Sequence, residues 1–285
     1  MIKSSVTISL VSEAQNGPFV FHGELDKGLL KAASLGFDAV ELFLPSARSV
    51  DQAQLRRKLS DNGLTLSALG TGAGFLIHGW TLCSPEKPVR QKALSFISEM
   101  VYLGAEFQAP VIIGSMKGST GREEDREAVS ARLIENLAFL AEKAQESDTT
   151  ILLEPLNRYE TNLVNRLEEG VGVLDELGTD RFRLLADLFH MNIEEESIPQ
   201  ALRLAEGYVG YLHFVDSNRK PAGFGHINFE ELASVLKEIR YEGYLSAEAL
   251  PYPNSELAAS KTMETFERHI QPINQEEANE NGRRQ

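Results

Sequence analysis

The sequence lacks the features that mark several large protein classes. Among 285 residues there is one cysteine, Cys83, and one tryptophan, Trp80. A single thiol excludes an internal disulfide framework and suits a reducing compartment, so the cytoplasm is the expected location. No apolar run approaches the length that spans a bilayer, and residues 6–10 are too short for the core of a signal peptide. Positive charge is scarce as well: 28 Lys and Arg stand against 42 Asp and Glu, a formal net charge of −14. Without a basic face or a basic run, nucleic acid and anionic membrane surfaces are poor partners. No Pro- or Ser-rich linker divides the chain. The run Glu194, Glu195, Glu196 reads as solvated helix surface, and the polar end, residues 273–285, as a disordered tail behind one domain of residues 1–272.

What is present is a regular alternation. Short apolar runs rich in Val, Ile, Leu and Phe fall at 6–10, 39–44, 64–69, 110–114, 150–154, 182–187, 209–214 and 244–249. They show little apolar–polar alternation, as expected of strands buried on both faces. Helical patterns lie between them at 25–35, 50–62, 88–103, 124–147, 166–177, 198–205, 229–239 and 255–270. The first two stop at Gly36 and Gly63, which suit the left-handed end of a helix. Eight strands and eight helices in strict turn point to an α/β protein, a single-domain (β/α)8 TIM barrel, whose usual size is about 250 residues. A doubly wound open sheet would alternate too. Two loops are long enough to cover a mouth: 70–88, with Phe75, His78 and Trp80, and 115–123, with Lys117.

The last four apolar runs end alike. Ile151, Leu152 and Leu153 run into Glu154; Leu184, Leu185 and Ala186 into Asp187; Tyr211 and Leu212 into His213; Ser246 and Ala247 into Glu248. The separations are 33, 26 and 35 residues, about one strand–helix unit each. On a barrel, four such residues converge at one mouth. Any one of them alone is more often a helix cap or a loop hydrogen-bonder; four in succession are hard to explain that way. Three carboxylates and one imidazole suit a hard divalent ion, Mn2+ foremost and Mg2+ or Co2+ as well.

The segments around these positions resemble a known family. Glu154-Pro-Leu-Asn-Arg-Tyr-Glu160, Asp187-Leu-Phe-His-Met-Asn192 and Ser217-Asn-Arg-Lys-Pro221 look like the signatures of ketulose 3-epimerases, the D-tagatose 3-epimerase group within the xylose-isomerase-like barrels. The resemblance implies that Glu154, Asp187, His213 and Glu248 hold one metal ion and that Glu154 and Glu248 move the substrate's proton. It implies that Glu160, His190 and Arg219 orient the substrate, a small carbohydrate, and that the protein is a homo-oligomer, dimer or tetramer. The implied reaction interconverts ketoses at C3. Removing a proton beside a ketone leaves charge on oxygen, which a nearby dication stabilises as a Lewis acid. One carboxylate takes the proton and the other returns one on the opposite face.

Fold and metal set do not fix the reaction. An aldose–ketose or hydroxypyruvate isomerase, or a polyol or keto-acid dehydratase, would use the same ring. An apurinic-site endonuclease on the same barrel needs further His ligands, which the fourth strand (Ile112-Ile113-Gly114-Ser115) does not supply. Lesser candidates read more simply as structure. Glu41 suits a hydrogen bond inside the barrel, Lys117 a solvated loop, and Phe75 and Trp80 ordinary packing. His22, His226 and His269 have no partner in sequence.

Overall fold

Eight strands form one parallel sheet in sequential order: β1 (Lys3–Ser9), β2 (Ala39–Phe43), β3 (Thr65–Gly70), β4 (Val111–Ile113), β5 (Ile151–Leu153), β6 (Phe182–Asp187), β7 (Val209–His213) and β8 (Tyr244–Ala247). β8 pairs in turn with β1, Lys3 opposite Tyr244 and Val6 opposite Ala247, so the sheet closes on itself and the open-sheet alternative falls. The protein is a single (β/α)8 barrel. This computed structural model describes residues 1–284.

The strand residues divide by period two into outward and inward sets. Outward side chains such as Val6, Leu42, Leu153 and Leu184 join the large core beneath the helices. The inward set is small. Ala68, Ile112, Leu152, Leu185 and Tyr211, one from each of β3 to β7, form a separate plug across the barrel. Above it runs a polar chain: Ser5 Oγ lies 2.6 Å from Ser67 Oγ, which lies 2.7 Å from the Tyr211 hydroxyl. Two residues beyond the plug on β5, β6 and β7 stand Glu154, Asp187 and His213. The barrel therefore has an apolar plug in its interior and a titratable mouth.

Eleven helices surround it among the described residues: α1 (Leu25–Ser34), α2 (Gln52–Asp61), α3 (Ala73–His78), α4 (Lys87–Phe107), α5 (Arg126–Glu146), α6 (Leu167–Leu177), α7 (Leu188–Glu194), α8 (Ile198–Leu204), α9 (Phe229–Glu238), α10 (Ser255–His269) and α11 (Gln271–Arg284). Eight match the sequence pattern. α3 lies in the segment read as loop, where Gly72 and Gly74 lower helix propensity, and it stops at Gly79 with φ 68°. α7 is seven residues long, too short for a period to show, and starts on Asp187 as its cap. A two-residue strand, Phe21–His22, adds to β1.

α11 moves the boundary expected at residue 272. Ile273 is buried, and Asn274 accepts from the Ile2 amide at 2.8 Å and donates to the Ile2 carbonyl at 2.8 Å, tying this helix to the first strand. The acidic run is corrected too. The Glu194 carboxylate is 7% exposed and paired with Arg158, and Glu195 accepts the Leu167 amide at 2.8 Å. Both carboxylates serve loop ends, so neither is free surface. No helix among the described residues is long and apolar enough to cross a membrane.

Candidate metal centre and substrate pocket

Glu154, Asp187, His213 and Glu248 come together at the C-terminal mouth, each with a ligand atom within 4.8 Å of the others. His213 is central. Its Nδ1 lies 3.1 Å from Asp187 Oδ2 and 3.5 Å from both Glu154 Oε1 and Glu248 Oε2. Asp187 and His213 are register partners on β6 and β7, which fixes their spacing by backbone pairing alone. Asp187 is also the cap of α7: Oδ1 accepts from the Phe189 amide at 2.7 Å, leaving Oδ2 to the centre. The helix-cap reading and the ligand reading thus describe two oxygens of one carboxylate. Gly114, at the end of β4, gives Glu154 its room, because a Cβ there would stand 2.3 Å from Glu154 Oε2.

The donor set fits a divalent cation. Three carboxylates crowd around one imidazole with no other side-chain cation inside the ring, and the electrostatics show the strain. Burial lifts Glu248 to about 8 against the pull of His213 and Arg219, with Glu154 and Asp187 adding to the rise. For His213 burial disfavours the charged form, yet Glu248 and Glu41 carry it well above its ordinary value. Burial also pushes Asp187 up, but His190, His213 and Arg219 outweigh it and hold the carboxyl well below its usual range. A dication in the ring relieves the same repulsion. The second imidazole nitrogen supports this: His213 Nε2 lies 3.3 Å from Glu41 Oε2, which also accepts the Tyr211 hydroxyl at 3.0 Å. His213 Nε2 makes no hydrogen bond of its own, and the Glu41 carboxylate is the charge that stands beside it, on the far side of the ring from the Nδ1 contacts. Glu41 is buried and lines the same cavity, so the hydrogen bond expected of it serves the site.

A cavity of about 390 Å3 opens over the ring. His190, Glu160 and Arg219 all face it. His190 sits on α7, 1% exposed, and its Nδ1 accepts the Asn157 amide at 3.2 Å. Nε2 must therefore carry the hydrogen; it makes no hydrogen bond among the described residues and stands 3.8 Å from Asp187 Oδ2. It is available to an oxygen in the cavity. Arg219 donates from Nη1 to Glu160 Oε1 at 3.0 Å, holds Nη2 3.6 Å from Glu248 Oε2, and lies over the Phe189 ring. Its loop is built for this. Arg219 has φ 60°, and buried Asp216 accepts the amides of Ser217, Gly223 and Ile227 at 2.8, 2.9 and 3.1 Å.

Lys117 overturns the expectation of a solvated side chain. It is fully buried, and its Nζ donates to the Glu154 carbonyl at 2.8 Å and toward the Gly114 carbonyl at 3.4 Å. Burial lowers it to about 8, while Glu154 and Glu160 pull it back up. The pattern that could have revealed it is its position four residues past the end of β4, whose Ile113 pairs with Leu153 next to Glu154. Of the two loop aromatics, Phe75 lines the cavity, whereas Trp80 stacks on His78 at 4.1 Å and packs against the core. The far wall also holds Phe19 and Phe43, stacked at 4.5 Å, which drew no attention in the sequence. His226 bonds Ser217 Oγ at 2.9 Å, and neither His22 nor His269 lines the cavity.

A closed eight-stranded barrel whose C-terminal mouth gathers three carboxylates and an imidazole defines the class: a (β/α)8 protein with a site able to hold one metal ion. Residues 29–269 match the xylose isomerase-like TIM barrel family, and the chain belongs to it. Its curated relatives include a D-psicose 3-epimerase of Enterocloster bolteae, 30% identical over 222 residues, 75% of this chain and 72% of the relative. An L-ribulose 3-epimerase of Mesorhizobium japonicum is 30% identical over 228 residues, 79% of this chain and 75% of the relative. The solved structure of an L-ribulose 3-epimerase superimposes with a TM-score of 0.81 over 98% of this chain and 97% of that one, at 24% identity. With the family comes the enzyme class, an epimerase or isomerase.

Proposed function

We propose that the protein is a divalent-metal-dependent sugar epimerase that interconverts ketoses at C3, moving a proton between substrate carbon and Glu154 or Glu248 through an enediolate. The observation that carries this reading is the placement of both glutamates in one four-donor ring beneath a cavity lined by an unsatisfied His190 donor and by Arg219. The 3-epimerase relatives support the position of the reacting carbon.

Glu154, Asp187, His213 and Glu248 hold the cation, Mn2+ in this reading, with Mg2+ and Co2+ suited to the same hard donors. Bound there, it supplies Lewis-acid stabilisation of negative charge on a ketone oxygen. The side chains do the rest. One glutamate removes the C3 proton, and the other delivers a proton to the opposite face, the roles exchanging with the direction of reaction. His190 Nε2–H and the Arg219 guanidinium donate to substrate oxygens and offset the charge that grows there. Glu160 keeps Arg219 in place. The apolar plug inside the barrel lies two residues below the donor ring on β5, β6 and β7.

The test is incubation of the Mn2+-loaded protein with a panel of ketoses in D2O, followed by NMR. Deuterium at C3 together with the C3 epimer is the expected result. Label at C1 with an aldose product identifies an aldose–ketose isomerase instead, and loss of water a dehydratase.

A further inference from the structure

Lys117 stands out among the described residues because burying an ammonium is costly and the turn that carries it is anchored by other hydrogen bonds. Its turn, Ser115–Lys117, is already held from both sides. The Met116 carbonyl accepts the Leu82 amide at 2.8 Å, and the Gly118 carbonyl accepts the Thr161 hydroxyl at 2.7 Å. Thr120 exchanges two hydrogen bonds with Asn162, donating its amide at 2.7 Å and accepting at 3.0 Å. A Met or Gln side chain would fill the same space without the desolvation cost. The charge is also left without an ion-pair partner: the two acceptors of Nζ are main-chain carbonyls, one of them that of Glu154.

Among the described residues, the carboxylates that act on that ammonium are Glu154, a member of the ring, and Glu160 beside it. Glu41, Glu154, Glu160, Asp187 and Glu248 surround the cavity, and Arg219 covers them from the loop side. Lys117 approaches from behind β5, through the backbone of Glu154. We propose that Lys117 is a positioning residue whose buried positive charge acts on the metal ring through Glu154, weakening cation binding while favouring build-up of negative charge on the substrate. This rests on the epimerase reading above. Its hydrogen bond also holds the Glu154 carbonyl, and with it the strand end from which the carboxylate projects.

The two effects have opposite signs, which separates them from simple loss of structure. Removing the charge leaves the ring more negative, so a dication binds more tightly. The same change makes the enediolate harder to form, so turnover falls. A merely structural lysine would, on removal, weaken both.

Lys117→Gln keeps a donor for the Glu154 carbonyl and removes the charge; Lys117→Arg keeps the charge. Mn2+ affinity is measured by calorimetry and the kinetics on the ketose identified in D2O. For Lys117→Gln the expected result is Mn2+ bound at least about tenfold more tightly, kcat reduced at least about tenfold, and KM within about threefold. Lys117→Arg should lie nearer the wild type in both affinity and kcat. Unchanged or weaker Mn2+ binding in a folded Lys117→Gln protein overturns the proposal. Should that variant not fold, the wild type gives the answer: the slowly exchanging 15Nζ resonance of Lys117 must shift on saturation with Mg2+, and a resonance that stays put overturns the coupling. Failure of the wild type to bind Mn2+ takes down the metal reading and this inference with it; binding that is indifferent to Lys117→Gln takes down this inference alone.

Discussion

The two halves of the barrel do different work at the same mouth. From β5 to β8, strand ends carry Glu154, Asp187, His213 and Glu248, and the following loops carry Glu160, His190 and Arg219. From β1 to β4, the chain presents Phe19, Phe43, Gly70, Gly72, Phe75 and Gly114 to the cavity, with Glu41 as the buried carboxylate. One half supplies most of the charge and the other, Glu41 and Lys117 apart, supplies shape. Each charged group is a specific electrostatic term, whereas a wall of rings and glycines defines the shape of the space above it. Chemistry and selection can thus vary separately on one scaffold.

The sharpest way to break that division is to remove one of the two glutamates proposed to carry the proton. Glu154→Gln and Glu248→Gln should each lower kcat by about 10³-fold or more, since acid–base catalysis and a cation ligand are lost together. Steady-state turnover with Mn2+ in excess checks this. Turnover within tenfold of wild type in either variant would refute the two-glutamate scheme. The next largest effect belongs to the shape half, where it touches the charged one. Gly114→Ala puts a methyl group 2.3 Å from the present place of Glu154 Oε2, so the carboxylate must move. We expect kcat to fall by about 10²-fold, a typical cost of displacing a catalytic group by an ångström, with circular dichroism unchanged.

A pH series probes the strain in the charged half directly. Without a cation, Glu248 is held at about 8, above its ordinary 4.5. A carboxyl raised on folding binds more protons folded than unfolded, so its contribution to stability shrinks as pH climbs from about 4.5 to 8. His213, also raised, acts in the same sense above its ordinary 6.5. The Tm in EDTA should therefore be lower at about pH 8.5 than at pH 6, and Mn2+ should raise it most at the higher pH, by about 2 kcal/mol or more of stability at saturation. A metal-free Tm that increases over that interval contradicts the charge assignment.

How much of this was legible in the sequence follows the same division. Strands β5 to β8 announce themselves because apolar runs stop at Glu154, Asp187, His213 and Glu248, and a titratable side chain at the end of a buried strand is conspicuous. The barrel itself was readable from alternation, although only the β8–β1 pairing decides closure. The shape half was not legible. Phe19 sits in an irregular loop after β1, and its stacking on Phe43 joins residues from different strands, which no local period reports. Lys117 was misjudged for a related reason: loop position argues for solvent, while burial arises from the β3 and β5 loops closing over it. α7 escaped because Asp187 ends a strand and caps a helix at once.

Two milder substitutions separate the halves most finely. Glu41→Gln keeps a polar side chain beside His213 Nε2 and removes the carboxylate charge 3.3 Å from it, so Mn2+ affinity should drop about 10- to 100-fold. Calorimetry with Mn2+ alone measures it. Phe75→Ala is expected to do least and to discriminate best. Phe75 is 46% exposed on α3, lines the cavity, and has no place in the ring. Truncation removes apolar contact area equivalent to about 1 kcal/mol, felt equally in ground and transition states. KM should therefore rise about fivefold with kcat within twofold, and the ranking of ketoses in a panel should change while the carbon that exchanges does not. A fall in kcat at constant KM would mean that the shape half also positions the reacting atoms, and the two halves would then have to be treated as one machine.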